Sequence, residues 1–453
     1  MKLKHTDTET TKHHSHLISL QQCRRGETGS ISRQRLWLAT SGILVLLAMI
    51  FILPARAAAA SQYKVLHTFT GGKDGGSPDM LIFDAAGNLY GTAGGGTGEG
   101  NGTVFELVPN SDGSWTENTL YTFCSLKNCT DGFAPNGALA FDPAGNLYGT
   151  AEEGGDSDWG VVFELTPHTG GQWTEAVLYS FKGGTDGKSP DGVIFDATGN
   201  LYGTTREGGT SGYGTVFKLT PNSDGTWTES ILYNFCSLTN CTDGLSADDL
   251  TFDQSGNLYG TTPAGGVGCN GDGCGVVYQL KPNSNGSWTE TVLYSFTGAA
   301  DGATPFSGVI FDAAGNLYGT TTNGGNLKCI NEGIPGCGVV FQLKPNSDGS
   351  WTESVLHNFA DHPASRPTSR LLFDESGNLY GTTSDGGSAN AGTVFKIAPN
   401  SDGRWAFKVL HVFAGKPASS PNSLIEKTGN FYGSTGLCLN EKKCAGVVFE
   451  LIP

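Results

Sequence analysis

The sequence predicts an all-β fold, a seven-bladed β-propeller of four-stranded antiparallel blades, and three observations carry that reading. GNLYGT begins at Gly87, Gly145, Gly199, Gly256, Gly315 and Gly377, with GNFYGS at Gly429, in steps of 58, 54, 57, 59, 62 and 52 residues. Each unit resolves into four short strands separated by turn residues, the size of a propeller blade. The last unit stops at Pro453 after GVVFELI, without a fourth strand, while Tyr63–Phe69 (YKVLHTF) is a fourth strand with nothing before it. Pairing residues 63–69 with Val447–Leu451 completes one blade, closes the ring and leaves no open sheet edge. An open solenoid would need atypical capping repeats at both ends.

Within a unit the elements follow in order. The first strand is of the LIFD type (Leu81–Asp84) and the second is NLYGT (Asn88–Thr92). DAAGN joins them, with Asp84 placed to cap the turn amides and Gly87 supplying a positive φ. The third strand is GTVFEL (Gly102–Leu107) and the fourth the longer WTENTLYTF (Trp115–Phe123), joined by the turn sequence PNSDG. Alternate connections in an antiparallel unit share a face. The one–two and three–four turns are short and nearly constant; the two–three loops and the links between units are long and varied. Variable loops on a regular scaffold are where binding residues concentrate.

Composition agrees with a turn-rich β protein: 68 of 453 residues are Gly, 3 are Met, and charged residues make up 15%. Residues 1–57 carry a net charge of +5 against −16 for the whole chain, so the remainder holds −21. So acidic a body has no electrostatic footprint for nucleic acid. Residues 1–35 form a polar, basic leader. Leu36–Leu53 is an apolar run preceded by Arg33 and Arg35 and followed by Pro54 and the stretch ARAAAA, so 36–60 reads as a signal peptide or, if retained, a membrane anchor. Residues 61–453 hold the propeller. Behind that signal, ten cysteines fall into five local pairs expected as disulfides: Cys124–Cys129, Cys236–Cys241, Cys269–Cys274, Cys329–Cys337 and Cys438–Cys444. Their short spacings lack the further ligands of a metal site, and no metal or cofactor is expected.

Four residues before the Phe of each first strand stand Asp79, Gly137, Asp191, Asp248, Ser307, Ser369 and Pro421. Innermost strands line a propeller's channel, so Asp79, Asp191 and Asp248 are candidate binding residues at its mouth or, more simply, caps of interblade turns. Asp74, Asp131, Asp186, Asp243 and Asp301, in the DG of the interblade loops, read as turn residues because no oxygen-rich loop of calcium-binding spacing accompanies them. A unique site breaks the repeat. His67, His357 and His411 only replace the Tyr of VLYSF, and Trp115, Trp173, Trp227, Trp288, Trp351 and Trp405 recur as packing residues. The departures are Glu152, Glu153, Asp158 and Trp159 in the second unit, and Arg206, Glu207 and Tyr213 in the third. Trp159, Arg206 and Tyr213 are candidate binding residues. Glu152, Glu153 and Glu207 are the carboxylates available for cleaving a glycosidic bond, which takes two. No hydrolase elbow, zinc-protease, Walker or dinucleotide fingerprint occurs.

The unit FDxxGNLYGTTxxGG…GTVFELTPNSDGSWTExVLYSF resembles the Gloeobacter/Verrucomicrobia (GloVer) repeat in seven copies over residues 63–453, and is similar more loosely to NHL-type propeller repeats in its first two strands. The resemblance implies an exported bacterial repeat protein and brings no catalytic residues. The expected function is a non-catalytic scaffold, extracellular, periplasmic or at the cell surface, that binds a glycan, protein or other envelope component. A carbohydrate-active hydrolase or lyase and a structural spacer are the alternatives. Membrane contact is expected only through residues 36–53, if they are retained.

Overall fold

The computed structural model describes residues 61–95, 100–269, 273–329, 335–436 and 445–453. The leader, the apolar run 36–53 and the pair Cys438/Cys444 lie outside the described residues. Seven antiparallel sheets form the ring, each meandering outward from its first strand. The first blade is typical: β2 (Pro78–Phe83), β3 (Leu89–Ala93), β4 (Thr103–Pro109) and β5 (Trp115–Thr122), hydrogen-bonded in that order. The only helical segments among the described residues are three 3₁₀ turns in interblade loops, at Lys127–Cys129, Gly184–Asp186 and Thr239–Cys241.

Closure occurs as the sequence implies. The amino-terminal strand β1 (Gln62–Thr68) pairs antiparallel with Val447–Ile452 and becomes the outer strand of the seventh blade. Tyr63 lies opposite Leu451, and Thr68 opposite Val447.

The buried residues divide into seven clusters, one at each seam between neighbouring blades. The Phe that follows each outer strand is the key to its seam. Phe123 of the first blade packs at a tilt of 60° against Phe163 of the second, with ring centroids 4.9 Å apart. Phe181 and Phe217 repeat this at 5.2 Å, Phe296 and Phe341 at 5.1 Å, and Phe69 meets Phe105 at 5.0 Å across the closing seam. Such aromatic pairs add to the burial of their area. The Gly of NLYG belongs to the same packing, since a Cβ on Gly91 would sit 2.7 Å from Phe105 Cζ.

The Asp of FD acts as its position suggests: Asp84 Oδ1 accepts from the amides of Gly87 at 2.7 Å and Asn88 at 2.8 Å. The recurring Trp are half-buried and meet the Tyr of the preceding blade, as Trp227 does Tyr148 at 6.3 Å. Asp131, in the DG of its interblade loop, is fully buried and accepts from the Tyr121 hydroxyl and the Ser125 amide at 2.8 Å each. His357 and His411 stack on Phe407 and Tyr63 at 4.1 and 4.2 Å, a packing role. Four of the expected disulfides, Cys124–Cys129, Cys236–Cys241, Cys269–Cys274 and Cys329–Cys337, are formed, all on the long-loop face.

Candidate functional site

The first strands run from the long-loop face to the short-turn face, so the residues that open them stand at the loop-side mouth of the channel. Register defines the equivalent positions. Pro78 pairs with Ala93, Pro135 with Ala151, Pro190 with Thr205 and Pro367 with Thr383. Counted from that Pro, or from Ala247 where Pro is replaced, the next residue is Asp79, Asn136, Asp191, Asp248, Phe306, Thr368 and Asn422 in blades one to seven. Counting back from Phe misses Asn136 and Asn422. The second blade carries more bulged residues between Asn136 and Ala140 than the first or third has, and the seventh has a shorter hairpin, Lys427 pairing with Asn430.

Three of the expected residues and Arg206 meet in one assembly. The Arg206 guanidinium donates to Asp191 Oδ2 at 2.9 Å, lies 3.7 Å from Asp248 Oδ1 through Nε, and approaches Glu152 Oε1 at 3.9 Å. Asn136 Nδ2 donates to the Pro190 carbonyl at 3.1 Å and reaches Asp191 at 3.4 Å. Asp79 is held by the Gly137 amide at 3.1 Å and approached by the Asn422 amide at 3.4 Å. Asp79, Asp191 and Asp248 therefore tie neighbouring blades as well as line the mouth.

Two charged residues that sequence reasoning passed over complete the lining. Asp249 accepts from Arg370 Nη1 at 3.0 Å, and Arg370 Nη2 donates to the Val309 carbonyl at 3.3 Å, so one side chain spans blades four, five and six. The signal was available: counted back from Phe, this position holds Met80, Ala138, Gly192 and Gly308 in other blades, against Asp249 and Arg370. Below the polar ring, a cavity of about 430 Å³ is lined by Met80, Ile82, Leu372, Leu424, Arg370 and Asn422 among others.

Crowding shows in the electrostatics. Burial, then the charge of Asp191, raises the Asp79 carboxyl above its usual range, and the same two causes raise Asp248 well above it. Burial also raises Asp249, against the opposing charge of Arg370. Burial alone would lower the Arg206 pKa, but Asp191, Asp248 and Glu152 outweigh it and hold the guanidinium charged. Among the described residues no cluster of His, Cys, Asp and Glu has the geometry to hold a metal ion.

The remaining candidates lie elsewhere on the loop face. Trp159 is 42% exposed, with Lys188 Nζ 4.8 Å above its ring, and Lys188 pairs in turn with Glu207. Glu153 is exposed at the end of its strand. Tyr213, 46% exposed, lines a groove of about 540 Å³ with Cys241, Leu245, Val267 and Cys269. Seven of the eleven exposed large apolar side chains among the described residues sit on this face (Leu126, Trp159, Tyr213, Leu238, Val267, Phe306 and Leu327), and the other four lie in strands.

Closely similar blades, a closed ring and long, varied loops gathered on one face define a repeat-built seven-bladed propeller. The chain belongs to the Gloeobacter/Verrucomicrobia repeat family, whose model matches residues 50–172, 114–331 and 329–453. No curated protein matches it. Among solved structures, it is similar to the extracellular domain of a protein described as a hybrid two-component system, BT4673 of B. thetaiotaomicron. That match has 13% identity and a TM-score of 0.51 over 86% of this chain and 42% of that one. A second structure of that extracellular domain, described as a one-component system, matches at 11% identity and a TM-score of 0.48, over 86% of this chain and 40% of that one. The chain thus spans about two-fifths of the length of those domains. A Thermus thermophilus protein described as an oxidoreductase (glucose dehydrogenase) matches at 14% identity and a TM-score of 0.42, over 86% of this chain and all of that one. These likenesses concern the fold.

Proposed function

We propose that this chain is an exported, non-catalytic binding propeller that engages an extracellular or envelope ligand through its long-loop face. The observation that carries the reading is the concentration of exposed apolar side chains there. Rigid sheets position Leu126, Trp159, Tyr213, Leu238 and Val267 on that face, whereas the short-turn face presents capped Asp turns. Exposed apolar groups gathered on one face mark interaction surfaces. Four disulfides in the loops fit an oxidising compartment and hold those loops in shape.

The test is capture of glycans from an array, and of envelope proteins from an extract, by the immobilised chain. Wild type and a short-turn variant (Asp112→Asn with Asp348→Asn) are expected to retain the same ligand, and a loop-face variant (Trp159→Ala with Tyr213→Ala) to lose it. Equal retention by all three, or none by any, counts against the reading.

A further inference from the structure

In six blades the first strand ends in a Phe that packs on a Tyr of the preceding blade. Phe83 meets Tyr432 at 5.0 Å, Phe141 meets Tyr90 at 5.1 Å, and Phe373 meets Tyr318 at 5.0 Å. The seventh blade breaks this rule. Glu426 pairs with Phe431 where Phe83 pairs with Leu89, so a carboxylate stands in the place of the ring. Tyr380, which that ring would have met, is covered by Phe431 instead, at 4.5 Å. The cavity of about 430 Å³ lies beside this replacement, its lining running from Arg370 and Asn422 on the loop side to Phe373 and Glu426 on the short-turn side. Glu426 is exposed, so that end meets solvent. Between the ends the wall is apolar, with Met80, Ile82, Leu372 and Ile425. Such a volume falls within the roughly 300–1,000 Å³ of small-molecule pockets.

We propose that this cavity is a second ligand site, for a small neutral molecule whose apolar body fills the channel and whose acceptor oxygen, of the ester or ketone kind, takes an N–H from Arg370. The Arg370 side chain is 33% exposed. Nη1 donates to Asp249 and Nη2 to the Val309 carbonyl. A guanidinium carries five N–H donors, so three remain without a protein acceptor among the described residues. Asn422 is already engaged, donating to the Pro78 carbonyl and accepting from the Ser434 hydroxyl. A carboxylate head would compete with Asp249 for the guanidinium, in a channel whose mouth already carries Asp79, Asp191 and Asp248. An ammonium would trade water for apolar walls, with only the exposed Glu426 to receive it. Glu426 has no counterpart in the other six blades, so the site is single in a sevenfold scaffold. The inference goes beyond the loop-face reading and does not depend on it, since neither Trp159 nor Tyr213 lines the cavity.

The test is calorimetry and saturation-transfer NMR on the full chain, with methyl hexanoate, sodium hexanoate and hexylammonium chloride as probes that share one tail. The ester is expected to bind, and the two ions at least about tenfold more weakly, the scale of one poorly matched polar group. Methyl hexanoate is expected to bind about tenfold more tightly than methyl butanoate, as two further buried methylenes require. Glu426→Phe restores the residue of the other six blades and closes the outer end, and Met80→Trp fills the space. Each is expected to abolish ester binding, Glu426→Phe with no fall in the urea midpoint. Arg370→Met with Asp249→Asn removes the donor without leaving a lone buried charge and is expected to weaken the ester about tenfold. The short-turn variant Asp112→Asn with Asp348→Asn is expected to bind it as wild type does. No ester bound, either ion preferred, affinity indifferent to chain length, or binding unchanged by Glu426→Phe and Met80→Trp overturns the proposal.

Discussion

Single side chains carry two separate jobs, and they differed in how far the sequence exposed them. Phe of VLYSF recurs at a fixed place, so its structural role was legible. In the structure Phe123 is fully buried and meets Phe163 across a seam. Phe123→Ala is expected to cost about 3–5 kcal/mol, as large aromatic-to-alanine changes in cores do, read from the urea midpoint. The mouth residues were half legible. Asp79, Asp191 and Asp248 stood out, but Asn136 and Asn422 were hidden by bulges and hairpin lengths that shift the count from Phe. Asp249 and Arg370 went unread because their pairing joins blades 121 residues apart in the chain.

Among the elements, strand order and turn chemistry could be read directly, while strand ends and irregularities could not. The first strand extends to Phe133–Phe141 in the second blade and shrinks to Ile310–Phe311 in the fifth. Every outer strand carries a one-residue bulge, as between Val104 and Phe105 of its partner's register, which re-aims the Tyr and Phe that follow. Side-chain alternation alone does not reveal it. The loop disulfides act locally. Cys236→Ser with Cys241→Ser is expected to lower global stability by about 2 kcal/mol, the entropy of so short a closed loop. Hydrogen exchange should show local opening gained only in the loop around Leu238, while the slowest amides of all blades lose protection equally, by the global decrement. A larger loss in the fourth blade than in the others would contradict this.

Across the whole molecule, the number of blades and the closing strand were legible because they depend on counting repeats rather than on geometry. The four seams from the first blade to the fifth add an electrostatic property that the repeats did not advertise. Burial, reinforced by Asp131, Asp186 and Asp301 respectively, raises Glu175, Glu229 and Glu353 to about 7, and burial reinforced by Asp243 raises Glu290 to about 8. Each Oε1 is buried without a partner. The folded chain therefore holds these protons where the unfolded chain, titrating near 4.5, has lost them. Stability falls as pH rises from about 4.5 to about 8 and levels off above. On the acid side, hydrogen bonds from Asn200 and Thr198 overcome burial and lower Asp196 to about 2, so its contribution is lost as pH drops from 3.8 toward 2. Thermal scans should place the highest midpoint at about pH 4–4.5. Glu290→Gln should flatten part of the decline; an unchanged slope would falsify this origin. Removing Gln62–Phe69 exposes Val447–Ile452 as an open edge and strips Phe105 of its seam partner. The expected outcome is a lowered midpoint with self-association in sedimentation.

That clasp between β1 and Val447–Ile452 also sets a timetable. The two strands lie far apart in the chain, so a folding molecule carries an unsatisfied ribbon until they find each other. Six blades can close on their own, but the seventh waits for that meeting. Refolding at raised chain concentration should therefore increase the yield of molecules that clasp each other instead of themselves.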